Sequence, residues 1–152
     1  MSDEEVITVA DVSPGPGGVD PDDDRAGDAV EVPVVELLTG RGFLTGKSGG
    51  GKSNTASVIV EKLLDGNFPV MIVDTDGEYY GLKEEYEILH AGADEECDIQ
   101  VVPEHAEKLA SLALEQNVPL ILDVSGYLDD AVAEELLLET TRHLFAKEKK
   151  LK

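Results

Sequence analysis

One stretch of the chain combines glycines, lysines and a serine at a spacing suited to binding phosphate groups. Residues 46–53 read Gly-Lys-Ser-Gly-Gly-Gly-Lys-Ser, which fits the P-loop pattern G-x-x-x-x-G-K-[ST]. Glycines let the main chain bend so that several N–H groups point at phosphate oxygens, and a helix that begins there adds the positive end of its dipole. This P-loop motif (46–53) predicts a site for a nucleoside triphosphate.

The residues of the motif have different predicted roles. Lys52 is expected to reach the β- and γ-phosphates, and the Ser53 hydroxyl is expected to be a ligand of Mg²⁺. The other phosphate-binding candidates surround these two and are Gly46, Lys47, Ser48, Gly49, Gly50, Gly51 and Asn54.

The flanks of the motif match the structural context that it requires. Residues 42–45, Gly-Phe-Leu-Thr, read as the end of a short buried strand. Residues 53–64 have apolar side chains at helical spacing and are followed by Asp65-Gly66, a plausible helix end. A strand, a glycine loop and a helix in this order favour a phosphate site over a glycine-rich linker.

Two later apolar runs each end in an aspartate. Residues 69–74 and 119–123 are continuous apolar segments after a proline, which is typical of strands buried on both faces of a parallel sheet. Ligand sites of such sheets lie at the carboxyl ends of strands, where Asp74 and Asp123 fall. Asp74 is predicted to hold Mg²⁺ or polarise a water molecule, and Glu78, which follows it closely, is a second acidic candidate. Asp123 resembles the last residue of a Walker B element, but no glutamate follows it.

The remaining pattern alternates strands with helices. Further strands are predicted at 86–90 and 98–102, and helices at 103–116 and 129–147. This alternation indicates an α/β fold with a mainly parallel sheet.

The first part of the chain has a different composition. Residues 1–30 are acidic and rich in proline and glycine, so they are predicted to be a mostly disordered lead-in with one short strand at 6–9. The folded domain is predicted to span residues 31–152, with 31–38 as an approach segment in which Pro33 argues against a central strand.

Charge is the most unusual property of the composition. The 152 residues include 33 acidic and 12 basic side chains, a net charge of −21. Because the acids are spread along the chain, adaptation to a halophilic cytoplasm is favoured over an acidic mimic that binds a basic partner. A single cysteine, Cys97, excludes an internal disulfide and suits a reducing compartment.

Other residue types give weaker signals. No apolar run is long enough for a membrane span, and the acidic N-terminus is unlike a signal peptide, so a cytoplasmic protein without membrane contact is expected. His90, His105 and His143 have no metal-binding spacing, so they are expected to be surface histidines or hydrogen-bonded core histidines.

Three segments together resemble the HerA–FtsK family of ATPases, on the HerA side. They are residues 42–54, 73–79 and 122–126, and the D-x-x-G-E-Y sequence from Asp74 to Tyr79 is the most specific of them. The resemblance covers residues 30–152. It implies a RecA-like, three-layer P-loop NTPase core that forms a hexameric ring and uses ATP and Mg²⁺ to move DNA.

The resemblance also implies what lies outside these residues. In that family the Walker B acid pair and the arginine finger follow the part comparable with this chain. The sheet is therefore expected to be incomplete at its C-terminal end, and turnover by these residues alone stays open. Within the chain, the resemblance and the motifs give Lys52, Glu78 and Asp123 as the catalytic candidates.

Two other readings of the motifs remain open. Lys47 lies five residues before Lys52, as does the signature lysine of the deviant-Walker ATPases that position septa and plasmids, although that class prefers glycine where this chain has Ser48. A nucleotide-binding module without catalysis would explain the missing glutamate after Asp123. A small GTPase is excluded, because too few residues separate Lys52 from Asp74 and the chain has no N-K-x-D.

Overall fold

The computed structural model describes residues 5–11 and 20–151. The glycine- and proline-rich stretch within 12–19, part of the predicted lead-in, lies outside the described residues. The chain divides into two compact units, Met1–Asp65 and Gly66–Lys152.

The first unit begins with a two-stranded antiparallel sheet. Strand β1 (Val6–Asp11) pairs with β2 (Ala29–Pro33), and the register shifts between Thr8 and Ala10. The short strand predicted at 6–9 is therefore present and continues to Asp11. Pro33 ends β2 and precedes helix α1 (Val34–Thr39), because its fixed φ of −61° and missing N–H suit the start of a helix better than a sheet.

Helix α2 (Lys52–Asp65) forms where the sequence predicts it. It begins directly after the glycines, and its first turn includes a 2.9 Å hydrogen bond from the Thr55 N–H to the Gly51 carbonyl. Its residues from 55 to 61 are all half-buried, and the helix ends immediately before Gly66. The spacing of the apolar residues and the closing glycine together account for both ends of the helix.

The strand predicted at 42–45 is wrong. Residues 41–47 have no regular secondary structure, and the Phe43 side chain is 91% exposed. Three glycines, at positions 40, 42 and 46, raise the entropy lost on fixing an extended main chain, and a strand also needs a hydrogen-bonded neighbour. None of the described strands pairs with 42–45.

The second unit contains a four-stranded sheet in the order β3-β6-β4-β5, and every neighbouring pair is parallel. The strands are β3 (Met71–Asp74), β4 (Leu89–Gly92), β5 (Ile99–Gln100) and β6 (Leu120–Asp123). The predicted α/β fold with a parallel sheet is confirmed, and it is compatible with a P-loop NTPase. Strand β4 starts later than predicted, and β5 has only two residues.

Two helices complete this unit. A 3₁₀ turn (Pro103–His105) leads into α3 (Ala106–Leu114), so the helix predicted from Pro103 is present but begins with a tighter turn. Helix α4 (Asp130–Leu151) is longer than predicted. A second 3₁₀ turn (Tyr80–Glu84) follows β3. No helix within 5–11 or 20–151 is both long and apolar enough to cross a membrane.

The faces of the sheet differ in character. Successive strand residues point to opposite faces, so Leu120 and Leu122 pack with Leu109 of α3 and Leu136 of α4 in the apolar core. On the other face, the register places Asp74 beside Asp123, and His90 beside Ile121. One face is therefore a core, and the other carries three buried polar side chains, Asp74, His90 and Asp123.

Gly92 is a buried position of β4 where the fold leaves no room for a side chain. A Cβ at this buried residue would lie 2.7 Å from Cys97 Sγ and 2.8 Å from the Asp123 carbonyl oxygen. We expect Gly92→Ala to lower the free energy of unfolding by about 1–3 kcal/mol, because main-chain atoms of β6 must move. Urea denaturation in molar KCl measures this change.

The matched control is Gly81→Ala, since nothing lies within 4 Å of a Cβ at Gly81. It should change the unfolding free energy by less than about 0.5 kcal/mol. Equal effects of the two substitutions would show that the close approach at Gly92 is not a constraint on the fold.

Candidate functional site

The P-loop motif lies in the first unit and forms a tight loop before α2. Gly49 and Gly51 have φ values of 75° and 80°, which side-chain-bearing residues rarely adopt. The Gly50 N–H donates a 2.9 Å hydrogen bond to the Lys47 carbonyl, and a Cβ on Gly50 would lie only 2.9 Å from that oxygen. Three consecutive glycines are therefore required by the conformation of this loop.

Lys52 folds back over the loop. Its Nζ donates a 3.1 Å hydrogen bond to the Lys47 carbonyl, and its Cγ passes 3.4 Å from where a Cβ of Gly46 would be. Residues 46–51 are exposed, as are Ser53 and Asn54, while Lys52 is half-buried. The loop thus presents an ammonium group and the N-terminus of a fourteen-residue helix at the surface, an arrangement that can bind a phosphate group.

The second unit holds the other candidates, and Asp74 organises the loop that follows β3. Its Oδ1 accepts hydrogen bonds from the N–H groups of Asp76 (3.2 Å), Gly77 (2.8 Å) and Glu78 (3.2 Å), and Oδ2 accepts one from Tyr79 (2.9 Å). The carboxylate is 3% exposed, whereas Glu78 is exposed. The sequence pattern gave no indication that Asp74 would shape this loop.

Asp123 is also buried and fully engaged. Its Oδ1 accepts hydrogen bonds from the Ser125 N–H (2.9 Å) and hydroxyl (2.6 Å), and its Oδ2 lies 3.0 Å from His90 Nε2. Burial acts to raise the pKa of this carboxyl, but the hydrogen bonds from Ser125 and His90 outweigh it, and the pKa lies below its usual value.

The two strand-end loops of this unit touch. We call residues 74–79 and 123–126 the DTDGEY loop and the DVSG loop. The Val124 N–H donates a 2.9 Å hydrogen bond to the Asp74 carbonyl, and a Cβ on Gly77 would lie 3.2 Å from Ser125 Oγ. Gly77 has a φ of 72°, so this position favours glycine for two reasons. The structure therefore brings the Asp74 and Asp123 segments together within one unit.

His90 is a member of this cluster that the sequence reading missed. Its ring is 4% exposed, and the ring of Tyr80 packs edge-on against it with centroids 5.5 Å apart. The other two histidines differ, since His105 is exposed and His143 is half-buried. A polar residue in the middle of the apolar run Ile88-Leu89-His90-Ala91 was the signal that would have identified it.

An ion pair lies beside the cluster. Lys83 Nζ is 2.5 Å from Asp98 Oδ1, and Asp98 Oδ2 accepts a 2.8 Å hydrogen bond from the His90 main-chain N–H. Lys83 and the His90 N–H hold the pKa of Asp98 below its usual value. Burial raises the pKa of the nearby Cys97 thiol, which disfavours the reactive thiolate.

Among the described residues, Mg²⁺ would need ligands in addition to protein side chains. Within residues 5–11 and 20–151, no group of three or more histidine, cysteine, aspartate or glutamate residues is arranged to hold a metal ion. The donor types do fit a Mg²⁺ ion that accompanies a nucleotide, because such ions keep several waters and bind one or two protein oxygens plus phosphates. The exposed hydroxyl of Ser53 in the first unit and the carboxylate of Asp74 in the second unit are each a donor of this type.

A family comparison decides between the resemblances. The family model described as the central domain of the helicase HerA matches residues 27–149. This chain belongs to that family. No curated protein and no solved structure matches the sequence significantly.

Membership in the HerA family confirms the resemblance that the motifs predicted. The matched range contains the P-loop motif, the DTDGEY loop and the DVSG loop, and it extends from just before β2 into α4. The chain is thus a member of a P-loop ATPase family, and nucleotide is the ligand class that the HerA family implies.

The lowered pKa of Asp123 predicts how stability depends on pH. An aspartate has a pKa of about 3.9 in an unfolded chain. Because the folded value is lower, the charged carboxylate stabilises the fold above that pH, and the contribution is lost as the pH falls through the folded pKa. We expect Asp123→Asn to cost about 1–3 kcal/mol near neutral pH and less in acid.

Unfolding free energies of the wild type and Asp123→Asn, measured from about pH 6 to about pH 3, test this difference. Glu95→Gln removes an equal charge from an exposed side chain and serves as the control. A gap between wild type and Asp123→Asn that stays constant or widens in acid would contradict the assignment.

Proposed function

We propose that this HerA-family chain binds ATP with Mg²⁺ at the P-loop motif, and that its assembly couples ATP hydrolysis to the movement of DNA. The observation that carries the proposal is the glycine loop over which Lys52 folds back, at the start of α2. Main-chain N–H groups, an ammonium group and a helix N-terminus on one exposed surface favour a polyphosphate ligand.

Within this proposal the motif residues divide the phosphate contacts. The loop residues Gly46 to Gly51 and Asn54 surround the phosphates, and Lys52 neutralises charge on the β- and γ-phosphates by exchanging its hydrogen bond to Lys47 for phosphate oxygens. Ser53 Oγ is assigned to Mg²⁺, which supplies charge neutralisation at the transferred phosphoryl group. Asp74 is assigned an outer contact to Mg²⁺ through water, because both its oxygens already accept main-chain hydrogen bonds.

Hydrolysis requires a group that orients water and accepts its proton. Glu78 is one of two exposed carboxylates of the DTDGEY loop, the other being Asp76, and the Asp74 carboxylate fixes the main chain on which Glu78 stands. We assign Glu78 the role of base towards the attacking water. Asp123 is assigned an electrostatic role beneath this loop, since its buried carboxylate is held by Ser125 and His90.

A second candidate function is a nucleotide-binding module without catalysis. It is favoured by the full engagement of Asp123, whose two oxygens are both occupied, and by the absence of a glutamate directly after it. In either case we propose a homo-oligomer, a hexamer by family resemblance, in which DNA is the macromolecular partner.

The first test concerns Lys52. Lys52→Ala removes a charged donor to phosphate worth about 1.5–3 kcal/mol, so the affinity for Mg²⁺–ATP should fall by about tenfold or more. Titration calorimetry in molar KCl measures this, with Lys62→Ala as the control because Lys62 is an exposed lysine in the same helix. Ser53→Ala should weaken chiefly the dependence on Mg²⁺. A Lys52→Ala chain that binds ATP like the wild type would overturn the site.

The second test separates hydrolysis from binding. Steady-state ATP hydrolysis is measured in molar KCl with and without DNA, for the wild type, Glu78→Gln and the control Glu84→Gln, another exposed acid. Loss of a general base should lower kcat by about 100-fold or more and leave ATP affinity unchanged. Tight binding without wild-type turnover would support the non-catalytic module, and equal rates for both variants would remove Glu78 from the mechanism.

A further inference from the structure

The buried ring of His90 connects the DTDGEY loop region with the DVSG loop. On one side, His90 Nε2 lies 3.0 Å from Oδ2 of Asp123, which is the first residue of the DVSG loop. On the other side, the ring contacts Tyr80, which directly follows the DTDGEY loop. The two loops also touch directly where Gly77 approaches Ser125. His90 therefore lies under the contact between the two strand-end segments.

The chemistry of the ring indicates more than packing. A carboxylate oxygen of Asp123 accepts this hydrogen bond, so His90 Nε2 must carry the hydrogen that is donated. His90 Nδ1 is buried without a hydrogen-bond partner, which is unfavourable for a polar atom. An apolar side chain would fill the same space and leave no unpaired atom at that point. Any apolar side chain would lack the donor at Nε2, and an aliphatic one would also lack the ring edge that faces Tyr80.

A second set of contacts holds the main chain of His90 through Asp98. Asp98 Oδ2 accepts the His90 N–H, while Asp98 Oδ1 pairs with Lys83. Lys83 Nζ lies 5.7 Å from the centre of the Tyr80 ring, within the range of a cation–π contact. The Cys97 thiol also lies at the ring, with Sγ 3.8 Å from Nε2. Both the ring and the main chain of His90 are thus tied to the segment that carries Tyr80.

We propose that His90 is a positioning residue, which donates a hydrogen bond to Asp123 and supports Tyr80 so that the DTDGEY and DVSG loops keep one arrangement. Its effect on the reaction passes through Glu78, which stands on the first of these loops. That part rests on the proposed function, whereas the coupling of the loops does not.

Two substitutions separate the donor from the ring. His90→Gln retains an N–H donor that reaches towards Asp123, and His90→Phe retains a ring against Tyr80 but leaves Asp123 without that donor. Amide hydrogen exchange of the ¹⁵N-labelled full chain in molar KCl reports local opening residue by residue. The reporters are the amides that the two carboxylates hold, Gly77, Tyr79 and Ser125, and the reference is Leu120, whose N–H bonds to Val70 in the sheet.

We expect His90→Phe to accelerate exchange at all three reporters by about tenfold relative to Leu120, because a buried carboxylate loses a partner. His90→Gln should restore at least the Ser125 amide to nearly the wild-type rate. His105→Phe, at an exposed histidine, is the control and should change none of them. Acceleration of all amides equally, Leu120 included, or no rescue by glutamine would show that His90 only fills space.

Tyr80→Leu provides a second variant if the phenylalanine chain does not fold, since Tyr80 is 50% exposed. It should accelerate exchange at Ser125 across the loop contact, and an unchanged Ser125 rate would overturn the coupling. In the kinetic assay, His90→Phe should lower kcat with little change in KM, and His90→Gln should recover kcat. A wild type that binds no ATP would refute the proposed function, while the exchange rates would still decide the role of His90.

Discussion

Two buried carboxylates lie side by side at the ends of adjacent parallel strands, and the surrounding structure depends on how their charges are compensated. The β3–β6 register places Asp74 beside Asp123 on the same face of the sheet. A carboxylate buried in this way is unfavourable unless hydrogen-bond donors stabilise its charge. Main-chain N–H groups satisfy Asp74, whereas side chains and one N–H satisfy Asp123. The hydrogen bonds that stabilise Asp74 also fix the DTDGEY loop, and those from Ser125 that stabilise Asp123 also fix the DVSG loop. The same contacts therefore compensate the buried charges and determine the shape of the site.

The sequence predicts only part of this arrangement, and physical reasons explain which elements are predicted correctly and which are not. Strands β3 and β6 and helix α2 are predicted correctly, because a continuous apolar run closed by an acid, and apolar residues at helical spacing, each have few alternatives. Residues 42–45 were predicted wrongly, since four residues among glycines have too weak a preference to specify a strand without a partner. Asp74 was found as an acid at a strand end, but its hydrogen bonds depend on a loop conformation that no spacing rule encodes.

The net charge of −21 constrains how an anionic ligand approaches the chain. Nucleoside triphosphates and DNA are both repelled by such a surface in dilute buffer, and screening shortens the repulsion to about 3 Å at molar salt. Close to the ligand, local donors decide binding, and the P-loop motif supplies Lys47, Lys52 and main-chain N–H groups with no acid between residues 42 and 54. The proposed phosphate site is thus a locally positive segment in an acidic chain, and high salt should favour its use.

The D-x-x-G-E-Y sequence has a physical meaning in this structure that its letters alone do not convey. The aspartate collects the N–H groups of the next turn, the glycine takes a φ of 72° and allows contact with Ser125, and the tyrosine supplies the last N–H. Glu78 and Asp76 both present carboxylates at exposed positions of the loop, and the Asp76 carboxylate accepts a hydrogen bond from the Thr75 hydroxyl. Asp74 fixes the main chain of the loop that carries Glu78, so under the proposed function the positioning group and the group assigned to the attacking water are different residues. His90 is a further residue that positions others, because it contacts Asp123 and Tyr80 and is itself too buried to contact a ligand.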